Sequence, residues 1–442
     1  MAHTIAPLTA DVAIGRRRRR SMRIVIVGGG IGGMTLALSL LDAGIDDVDI
    51  YESASAVKEL GVGINVLPHA VRELTELGLL EALYRIGIPT AEVVFYSTHG
   101  QRIWDEPRGL AAGDRWPQLA IHRGELLGVR YRAVVARLGS TRVHTGHHLV
   151  AFGPQGSDLV WGAFADRATG MSCGRIEADL LMACDGIHSR VRRTLYPDEG
   201  PPKCNGITMW RALTVGEPFL SGRTMIQAGH SRRQIIVYPI SKRYEDQGRA
   251  LINWVAEFKT ADDQPMPQQD WEHTARLEDV LKPFSAFRFD FLDVPAVIRG
   301  AEVIYHYPMV DRDPLPTWDF GRITLLGDAA HPMYPAGSNG ASQAILDARV
   351  LARELALQPS IEAAVAGYDA LRRPATALVV QANRQGGPEQ CLEIVEQRAP
   401  KGFSHLDDIV SQQELEEIAR AYKHTAGFDP ETLNRRPSLS VR

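Results

Sequence analysis

A glycine-rich segment near the start of the chain has the spacing of a nucleotide-binding loop. Residues 28–33 read GGGIGG and match the pattern GxGxxG at Gly28, Gly30 and Gly33. In such a loop the first glycine permits a tight turn, the second lets the backbone approach a pyrophosphate, and the third lets a helix pack closely on a strand. Glu52 follows 24 residues after Gly28, where a carboxylate accepts hydrogen bonds from ribose hydroxyls. The spacing predicts dinucleotide binding and does not choose between NAD and FAD.

Two later motifs place an aspartate beside a glycine at the end of an apolar run. Asp185-Gly186 ends the run 178–184, and Gly327-Asp328 ends the run 322–326. The second motif continues into Pro335 and the loop 337–341 (GSNGA). Either aspartate could instead cap a turn or a helix. The loop 337–341 opens the helix that follows it, so its N–H groups can face a negatively charged part of a ligand.

The elements that must position these motifs alternate between strand and helix. The β-branched run 22–27 predicts a buried strand, 34–41 a helix that ends near Gly44, and 48–51 a second strand. After the third motif, residues 344, 345, 348, 351 and 352 form one apolar helix face. This alternation predicts an α/β fold with a Rossmann-like unit.

The three motifs together resemble the group A flavoprotein aromatic hydroxylases, the p-hydroxybenzoate hydroxylase-like family, whose fingerprints GxGxxG, DG and GD occur in this order. The resemblance covers about Met22 to Arg384. The family often has GxGxN after the GD motif, whereas this chain has GSNG at 337–340. Further segments resemble family members that act on phenazine carboxylates: 61–65 (GVGIN), 106–109 (EPRG), 121–126 (IHRGEL), 206–212 (GITMWRA), 307–316 (YPMVDRDPLP) and 327–335 (GDAAHPMYP).

The resemblance implies roles for individual residues in binding FAD. Glu52 would hold the adenosine ribose, Asp328 the ribityl chain, and Arg123 would reach the flavin side, unless it is a surface arginine of the following helix. Residues 61–63 would line the isoalloxazine, and 185–186 would lie behind the pyrophosphate, where the family also places nicotinamide contacts. The expected cofactor-binding residues are Gly28, Gly30, Ile31, Gly33, Glu52, Ser53, Gly61, Val62, Gly63, Arg123, Asp185, Gly186, Gly327, Asp328, Pro335, Gly337, Ser338, Asn339, Gly340 and Ala341.

The resemblance also implies a reaction. NADH or NADPH would reduce FAD as a transient co-substrate, and O2 would give a flavin C4a-hydroperoxide that hydroxylates an aromatic or N-heteroaromatic, phenazine-like acid. The flavin carries the chemistry, so no catalytic side chain is expected. No second GxGxxG strand–helix unit exists for the nicotinamide. The alternatives are a reductase without oxygen insertion, a halogenase, which the missing WxWxIP motif disfavours, and a flavin-bound redox sensor.

The family's architecture implies two interleaved domains and a tail. FAD-binding segments are expected at 22–89, 119–198 and 303–385, and substrate-domain segments at 90–118 and 199–302. Alternating stretches at 224–226, 234–239 and 250–255 predict an antiparallel sheet that roofs the pocket, and 262–269 reads as a polar loop. The expected aromatic lining, with core packing as the alternative, is Trp210, Tyr238, Trp254, Tyr334 and Pro335.

The tail, 386–442, is expected to be helical and to dock on the body or on a second subunit of a homodimer. Ser411 and Glu414 have capping-box spacing, and Gly427 is placed to end the helix that they begin. At the other end of the chain, Arg16–Arg20 lie in a segment, 1–21, that we interpret as a disordered basic arm or as sequence upstream of a working start at Met22. A signal-peptide interpretation is disfavoured because the apolar run that follows contains five glycines.

Composition excludes several classes of protein. The 442 residues include 49 Lys+Arg and 53 Asp+Glu, for a net charge of −4, and 45% are hydrophobic. This balance excludes disorder as the overall state and bulk attraction to nucleic acid or anionic lipid. The four cysteines form no CxxC pair and no histidine cluster has ligand spacing, so neither disulfides nor a metal site is expected. Reducing, cytoplasmic surroundings and a monomer or homodimer fit best.

Overall fold

The computed structural model describes residues 22–57, 61–259 and 273–441. The arm 1–21 and the predicted loop 262–269 lie outside the described residues. The strands are β1 (Ile24–Val27), β2 (Val48–Tyr51), β3 (Gly63–Val66), β4 (Ile88–Thr90), β5 (Glu92–Tyr96), β6 (Arg102–Pro107), β7 (Gln118–His122), β8 (Val143–His144), β9 (His147–Gln155), β10 (Leu159–Asp166), β11 (Ser172–Ala178), β12 (Leu180–Ala183), β13 (Lys203–Gly216), β14 (Thr224–His230), β15 (Arg233–Pro239), β16 (Ala250–Lys259), β17 (Arg288–Phe289), β18 (Leu292–Asp293), β19 (Ile304–Asp311) and β20 (Ile323–Leu325). The helices are α1 (Ile31–Asp42), α2 (Pro68–Glu76), α3 (Leu80–Tyr84), α4 (Arg123–Leu138), α5 (Arg190–Leu195), α6 (Lys242–Glu245), α7 (Leu277–Phe284), α8 (Val294–Arg299), α9 (Gly340–Leu357), α10 (Ile361–Arg384), α11 (Gln390–Arg398), α12 (Gln412–Ala426) and α13 (Pro430–Arg435).

A five-stranded parallel sheet forms the centre of the larger core. Its order is β20-β12-β1-β2-β8, and every pairing is parallel. Strands β1, β12 and β20 are buried along their whole length, as expected for apolar strands of a parallel sheet that is covered on both faces. Because parallel strands end at one edge of the sheet, the loops that follow β1, β12 and β20 lie together. The predicted Rossmann-like α/β fold is confirmed.

A seven-stranded sheet, β19-β13-β16-β15-β14-β5-β6, stands beside the first, and its only parallel pair is β14–β5. Alternate side chains divide between its two faces. One face packs with α7 and α8 in a core that includes Trp254, and the other packs partly with α11 and α12. Strand β19 joins this sheet, although it lies in the predicted third FAD-binding segment. The division into domains stays a prediction.

Two small antiparallel sheets accompany the main ones. Strands β3, β7 and β4 form one, and β9, β10 and β11 the other. A further pair is formed by β17 and β18. Among the described residues, no helix combines the length and the apolar character needed to cross a lipid bilayer.

The C-terminal tail contains three helices rather than the single one predicted. The predicted helix is α12; Ser411 Oγ accepts a hydrogen bond from the Glu414 amide at 3.2 Å, and Gly427 ends the helix with φ 81°. The Glu414 carboxylate pairs with Arg398 of α11, at 2.7 Å. Leu415 of α12 packs in the core on the body of the molecule, so the tail docks on its own chain.

Candidate functional site

A cavity of about 360 Å³ lies where the loops after the parallel strands meet one face of the seven-stranded sheet. Twelve of the predicted cofactor residues are on its wall: Gly30, Ile31, Gly63, Arg123, Gly186, Gly327, Asp328, Pro335, Ser338, Asn339, Gly340 and Ala341. Eight others are not on this wall: Gly28, Gly33, Glu52, Ser53, Gly61, Val62, Asp185 and Gly337.

Close backbone contacts require glycine at two positions of the first loop. A Cβ on Gly28, whose φ is +106°, would lie 2.3 Å from the carbonyl oxygen of Cys184. A Cβ on Gly33 would lie 2.0 Å from the Gly28 carbonyl oxygen. At Gly30, in contrast, no atom lies within 4 Å of the Cβ position, so the loop is open on that side. The loop and the start of α1 therefore leave room for a ligand at the N-terminal end of the helix.

Glu52 lies at the end of β2 with its carboxylate held against this loop. One carboxylate oxygen accepts a hydrogen bond from the Gly29 amide at 2.7 Å, and the other accepts from the Ala54 amide, also at 2.7 Å. The Ser53 hydroxyl donates to the second oxygen at 3.2 Å. Since a carboxylate has about four acceptor positions, capacity remains for the hydroxyls of a bound sugar.

The second motif combines a capping aspartate with an open glycine. Asp185 Oδ2 accepts a hydrogen bond from the amide of Arg190 at 2.7 Å, so it anchors the start of α5, in agreement with the capping alternative. Its Oδ1 is buried with no hydrogen-bond partner among the described residues. Burial raises the pKa of this carboxyl. Gly186, with φ +76° and open space at its Cβ position, borders the cavity.

The third motif places a charged side chain on the cavity wall. The Asp328 carboxylate is exposed to the cavity and accepts no hydrogen bond from any residue that the structure describes. Burial raises its pKa, while the charges of His331 and Arg123 lower it. Helix α9 begins at Gly340 after Asn339, so Asp328 does not cap that helix. The oxygens of Asp328 can accept hydrogen bonds from a ligand, and the hydroxyls of a ribityl chain have the required donors.

A buried charge network supports this motif from behind. Asp347 accepts from the Gly327 amide at 3.2 Å, lies 2.5 Å from His331 Nε2 and pairs with Arg372 at 2.7 Å. Burial alone would raise the pKa of Asp347, but His331 and Arg372 hold it below its ordinary value. His331 is therefore committed to a structural ion pair rather than to the cavity.

Two arginines border the cavity near β3. An Arg211 guanidinium nitrogen donates to the Gly63 carbonyl oxygen at 2.8 Å, and the Gly63 amide donates to Asn253 Oδ1 at 2.7 Å. Arg123 lies close enough for the Asp328 charge to act on it; burial lowers the Arg123 pKa and Asp328 raises it. Arg123 is thus a cavity residue at the start of α4, not an arginine on the outer surface of the protein.

The sheet wall corrects part of the predicted aromatic lining. Tyr238, Tyr334 and Pro335 border the cavity. Trp210 and Trp254 do not, because they lie on the opposite face of the sheet in the core with α7 and α8. Trp254 is fully buried and donates to Thr214 Oγ1 at 3.2 Å. The prediction that Trp210 and Trp254 line the pocket is wrong. Side chains alternate between the two faces of a strand, and the residues next to these tryptophans in β13 and β16 face the cavity.

Sequence reasoning missed the polar side chains on the same wall. They are Asn65, Arg211, Gln227, Glu257 and Glu389. A signal was present for Glu257, because it is an ionisable residue two positions after Val255 in a largely apolar strand. Glu389 had no such signal, because it reaches the cavity from the turn before α11.

The comparisons with known proteins agree with this geometry. The family model described as "FAD binding domain" matches residues 21–383. Phenazine 1,6-dicarboxylic acid hydroxylase PhzS of Lysobacter antibioticus is 48% identical over 82% of this chain and 89% of its own length. 3-Amino-4-hydroxybenzoate 2-monooxygenase PtnB3 of Streptomyces platensis is 32% identical over 83% and 88%.

A solved structure has the same fold. Klebsiella pneumoniae HpxO complexed with FAD and uric acid aligns with a TM-score of 0.71 at 21% identity, over 93% of this chain and 98% of that one. The predicted resemblance is confirmed at the level of sequence, and this structure extends it to the fold. The chain therefore belongs to the FAD-binding-domain family that contains the flavoprotein aromatic hydroxylases.

Proposed function

We propose that the chain is a monooxygenase that binds FAD, uses NADH or NADPH and O2, and hydroxylates an aromatic or N-heteroaromatic acid. The observation that carries this proposal is the shared cavity, in which the three FAD-family motifs and a wall of aromatic and charged side chains border one space. FAD, when bound, supplies the redox chemistry by accepting a hydride from the nicotinamide and activating O2.

The chain's own residues fit this cofactor. The open Cβ positions of Gly30 and Gly186 leave room for a pyrophosphate, and the unpartnered Asp328 carboxylate matches sugar-alcohol hydroxyls. Gly340 begins α9, so its N-terminal N–H groups and the positive end of the helix dipole favour negative charge beside them. In our proposal these groups stabilise the anionic reduced ring, and Arg123 adds a positive charge nearby.

The sheet wall has the features of an aromatic-acid pocket. Tyr238 and Tyr334 offer flat apolar surfaces, and Met209 and Met225 add apolar contacts. Arg211 provides a planar cation that suits a carboxylate. Two relatives are named for substrates that carry carboxyl groups, a phenazine dicarboxylic acid and an aminohydroxybenzoate, which supports an acid here. The chain's contribution is to orient the ring and exclude water.

The partners and surroundings complete the proposal. We propose that the nicotinamide docks transiently, because the sequence has only one GxGxxG unit. All four cysteines are unpaired in the structure, which supports a reducing, cytoplasmic setting. The enzyme works as a monomer or a homodimer.

One experiment tests the reaction. Purified protein with FAD is screened for NADH or NADPH oxidation stimulated by phenazine-1-carboxylate, phenazine-1,6-dicarboxylate and salicylate, and the product mass is measured under labelled O2. We expect stimulated oxidation and one labelled oxygen atom in the product. Stimulated oxidation with an unlabelled product would establish a reductase instead. No stimulated turnover by any aromatic acid would favour a redox sensor.

A further inference from the structure

Two carboxylates border the substrate side of the cavity, and neither belongs to the FAD motifs. Glu257 projects from β16, and Glu389 lies in the turn before α11. The Glu257 carboxylate forms neither a hydrogen bond nor an ion pair with any residue that the structure describes. The Glu389 carboxylate accepts one long hydrogen bond, 3.4 Å, from the Gly337 amide. Both carboxyl groups therefore have capacity left for a complementary polar group of a ligand.

Gln227 is an independent observation that points to a polar ligand. It projects from β14 onto the same wall and is only 4% exposed. Its Oε1 has no hydrogen-bond partner in the described part of the chain. A buried amide oxygen without a partner is costly unless a ligand or an ordered water satisfies it.

Both carboxyl groups have a raised pKa. Burial, as the largest cause, and the charge of Glu389 raise the pKa of Glu257 while Arg211 lowers it, and the result is about 8. Burial is also the largest cause for Glu389, whose pKa is raised to about 7 although the Gly337 amide lowers it. Near neutral pH the pair retains a proton, so it can donate a hydrogen bond as well as accept one.

We infer that Glu257 and Glu389 recognise a ring nitrogen of the substrate and share their proton with it, so that the cavity selects N-heteroaromatic acids over carbocyclic ones. This inference rests on the proposed function. A ring nitrogen accepts from a carboxylic acid when it is neutral and donates to a carboxylate when it is protonated, so it satisfies the pair in both states. A ring C–H in the same position would leave the pair without a partner.

The position of Arg211 on the same face indicates where the substrate's carboxylate lies. Met209 is the direct partner of Glu257 across β13 and β16, and Arg211 lies one same-face position further along β13. Such diagonal neighbours are roughly 7–8 Å apart between backbone positions. A fused-ring acid that carries its ring nitrogen and its carboxylate on one edge therefore spans the Glu257 and Arg211 positions.

Matched probes test the inference on the FAD-loaded enzyme. Quinoline-3-carboxylate and naphthalene-2-carboxylate share their shape and carboxylate and differ at one ring atom, N or C–H. Their Kd values are measured from the change in flavin absorbance on titration. We expect the wild type to bind the quinoline about tenfold more tightly. In Glu257→Met and in Glu389→Met, which remove both the donor and the acceptor, the preference should fall to about twofold or less, whereas the exposed control Glu177→Met should keep it.

Each result separates this inference from the proposed function. Equal affinity of the wild type for both probes, or a preference that survives in both variants, overturns the inference. If labelled oxygen is still inserted into aromatic acids, the proposed function stands without it. If no acid supports turnover but the preference is present and lost in the variants, the inference stands and the proposed function fails. If one variant loses FAD, the inference is tested by the other variant and by the relative affinity of the wild type for the two probes.

Discussion

The side-chain amide nitrogen of Asn339 lies 2.9 Å from the hydroxyl oxygen of Tyr422, and this contact joins the C-terminal tail to a loop on the cavity wall. The same hydroxyl lies 2.8 Å from Asn383 Oδ1 and 3.0 Å from the carbonyl oxygen of Ala336. A Cβ atom added to Gly337 would lie 2.1 Å from the Tyr422 hydroxyl oxygen. Tyr422 lies beyond residue 383, where the family match ends, so a segment outside the matched domain supports the loop.

Removing this hydroxyl should loosen the loop without disturbing the fold. Tyr422→Phe keeps the ring that packs on Phe428 but leaves Asn339 and Asn383 without their shared partner. An unmade buried hydrogen bond costs about 1–3 kcal/mol, so we expect FAD affinity to fall by about five- to tenfold. Fluorescence titration of FAD measures this, with Arg420→Ala on the exposed side of α12 as the control. Wild-type affinity in Tyr422→Phe would show that the loop does not depend on the tail.

Asp328 should be the largest single contributor to FAD retention. Its carboxylate is exposed to the cavity and accepts no hydrogen bond from the described residues, so its only role in our proposal is to hold the cofactor. Hydrogen bonds to a charged group contribute about 1.5–3 kcal/mol, and Asp328→Ala should weaken FAD binding at least about tenfold. The measurement is the flavin-to-protein ratio after gel filtration, with the exposed Asp290→Ala as the control. An unchanged ratio would remove Asp328 from the cofactor site.

Arg211 should distinguish a carboxylate from its amide. In Arg211→Met we expect the Kd of an aromatic carboxylate to rise at least about tenfold, because a charge-assisted pair contributes about 1.5–3 kcal/mol, while the Kd of the carboxamide changes less. Arg232→Met, at an exposed turn, is the control. FAD content must be followed in parallel, since Arg211 also bonds the Gly63 carbonyl oxygen. Equal losses for acid and amide would mean that Arg211 supports the loop and does not bind the substrate.

Local sequence patterns predicted the elements that carry the glycine loops. The β2 strand matches its predicted bounds, 48–51, and Gly28 and Gly33 sit at close contacts that exclude a side chain. These features depend on a few adjacent residues, which is why spacing alone can indicate them. The parallel order of β20, β12 and β1 then brings three motifs that are far apart in sequence to one edge of the sheet.

The sheet wall and the tail could not be predicted in the same way. The aromatic rings of Trp210 and Trp254 made them candidates for the cavity lining. The alternation of side chains along a strand decides which face of the sheet each one occupies, and a shift of one residue moves it to the other face. Tyr422 and Glu389 reach the cavity region through tertiary contacts with residues far away in sequence, Asn339 and Gly337 respectively. No local pattern contains that information. Only the docking of the tail on the body brings these residues to the site.

The buried carboxyl of Asp114 should make stability depend on pH. Burial, as the largest cause, and the charge of Asp429 raise its pKa while Lys423 and Arg108 lower it, and the result is about 7. Because this carboxyl has a higher pKa in the folded state than in the unfolded state, the protein loses stability as the pH rises from near 4, the pKa in the unfolded state, through about 7. Asp114→Asn should therefore increase the melting temperature more at pH 8 than at pH 5, by a few degrees. Thermal unfolding at both pH values tests this against the exposed control Asp158→Asn, and an equal gain at both would contradict it.

The ion pair between Arg372 and Asp347 should contribute strongly to stability, and a neighbouring residue offers a matched control. Asp347 is fully buried, so Arg372→Met leaves its carboxylate with His331 as the remaining charged partner. Removing one partner of a buried pair typically costs about 3–5 kcal/mol, and we expect a loss of about 3 kcal/mol. Arg373 pairs with the more accessible Asp369 at 3.0 Å, so Arg373→Met should cost less than about 1 kcal/mol.

Urea unfolding at one saturating FAD concentration compares the variants on equal terms, because bound ligand adds the same stabilisation only when its occupancy is the same. Since Asp347 also accepts from the Gly327 amide, Arg372→Met should weaken FAD binding as well, whereas Arg373→Met should not. Equal destabilisation by the two variants would mean that the buried network does not hold the GD loop in place.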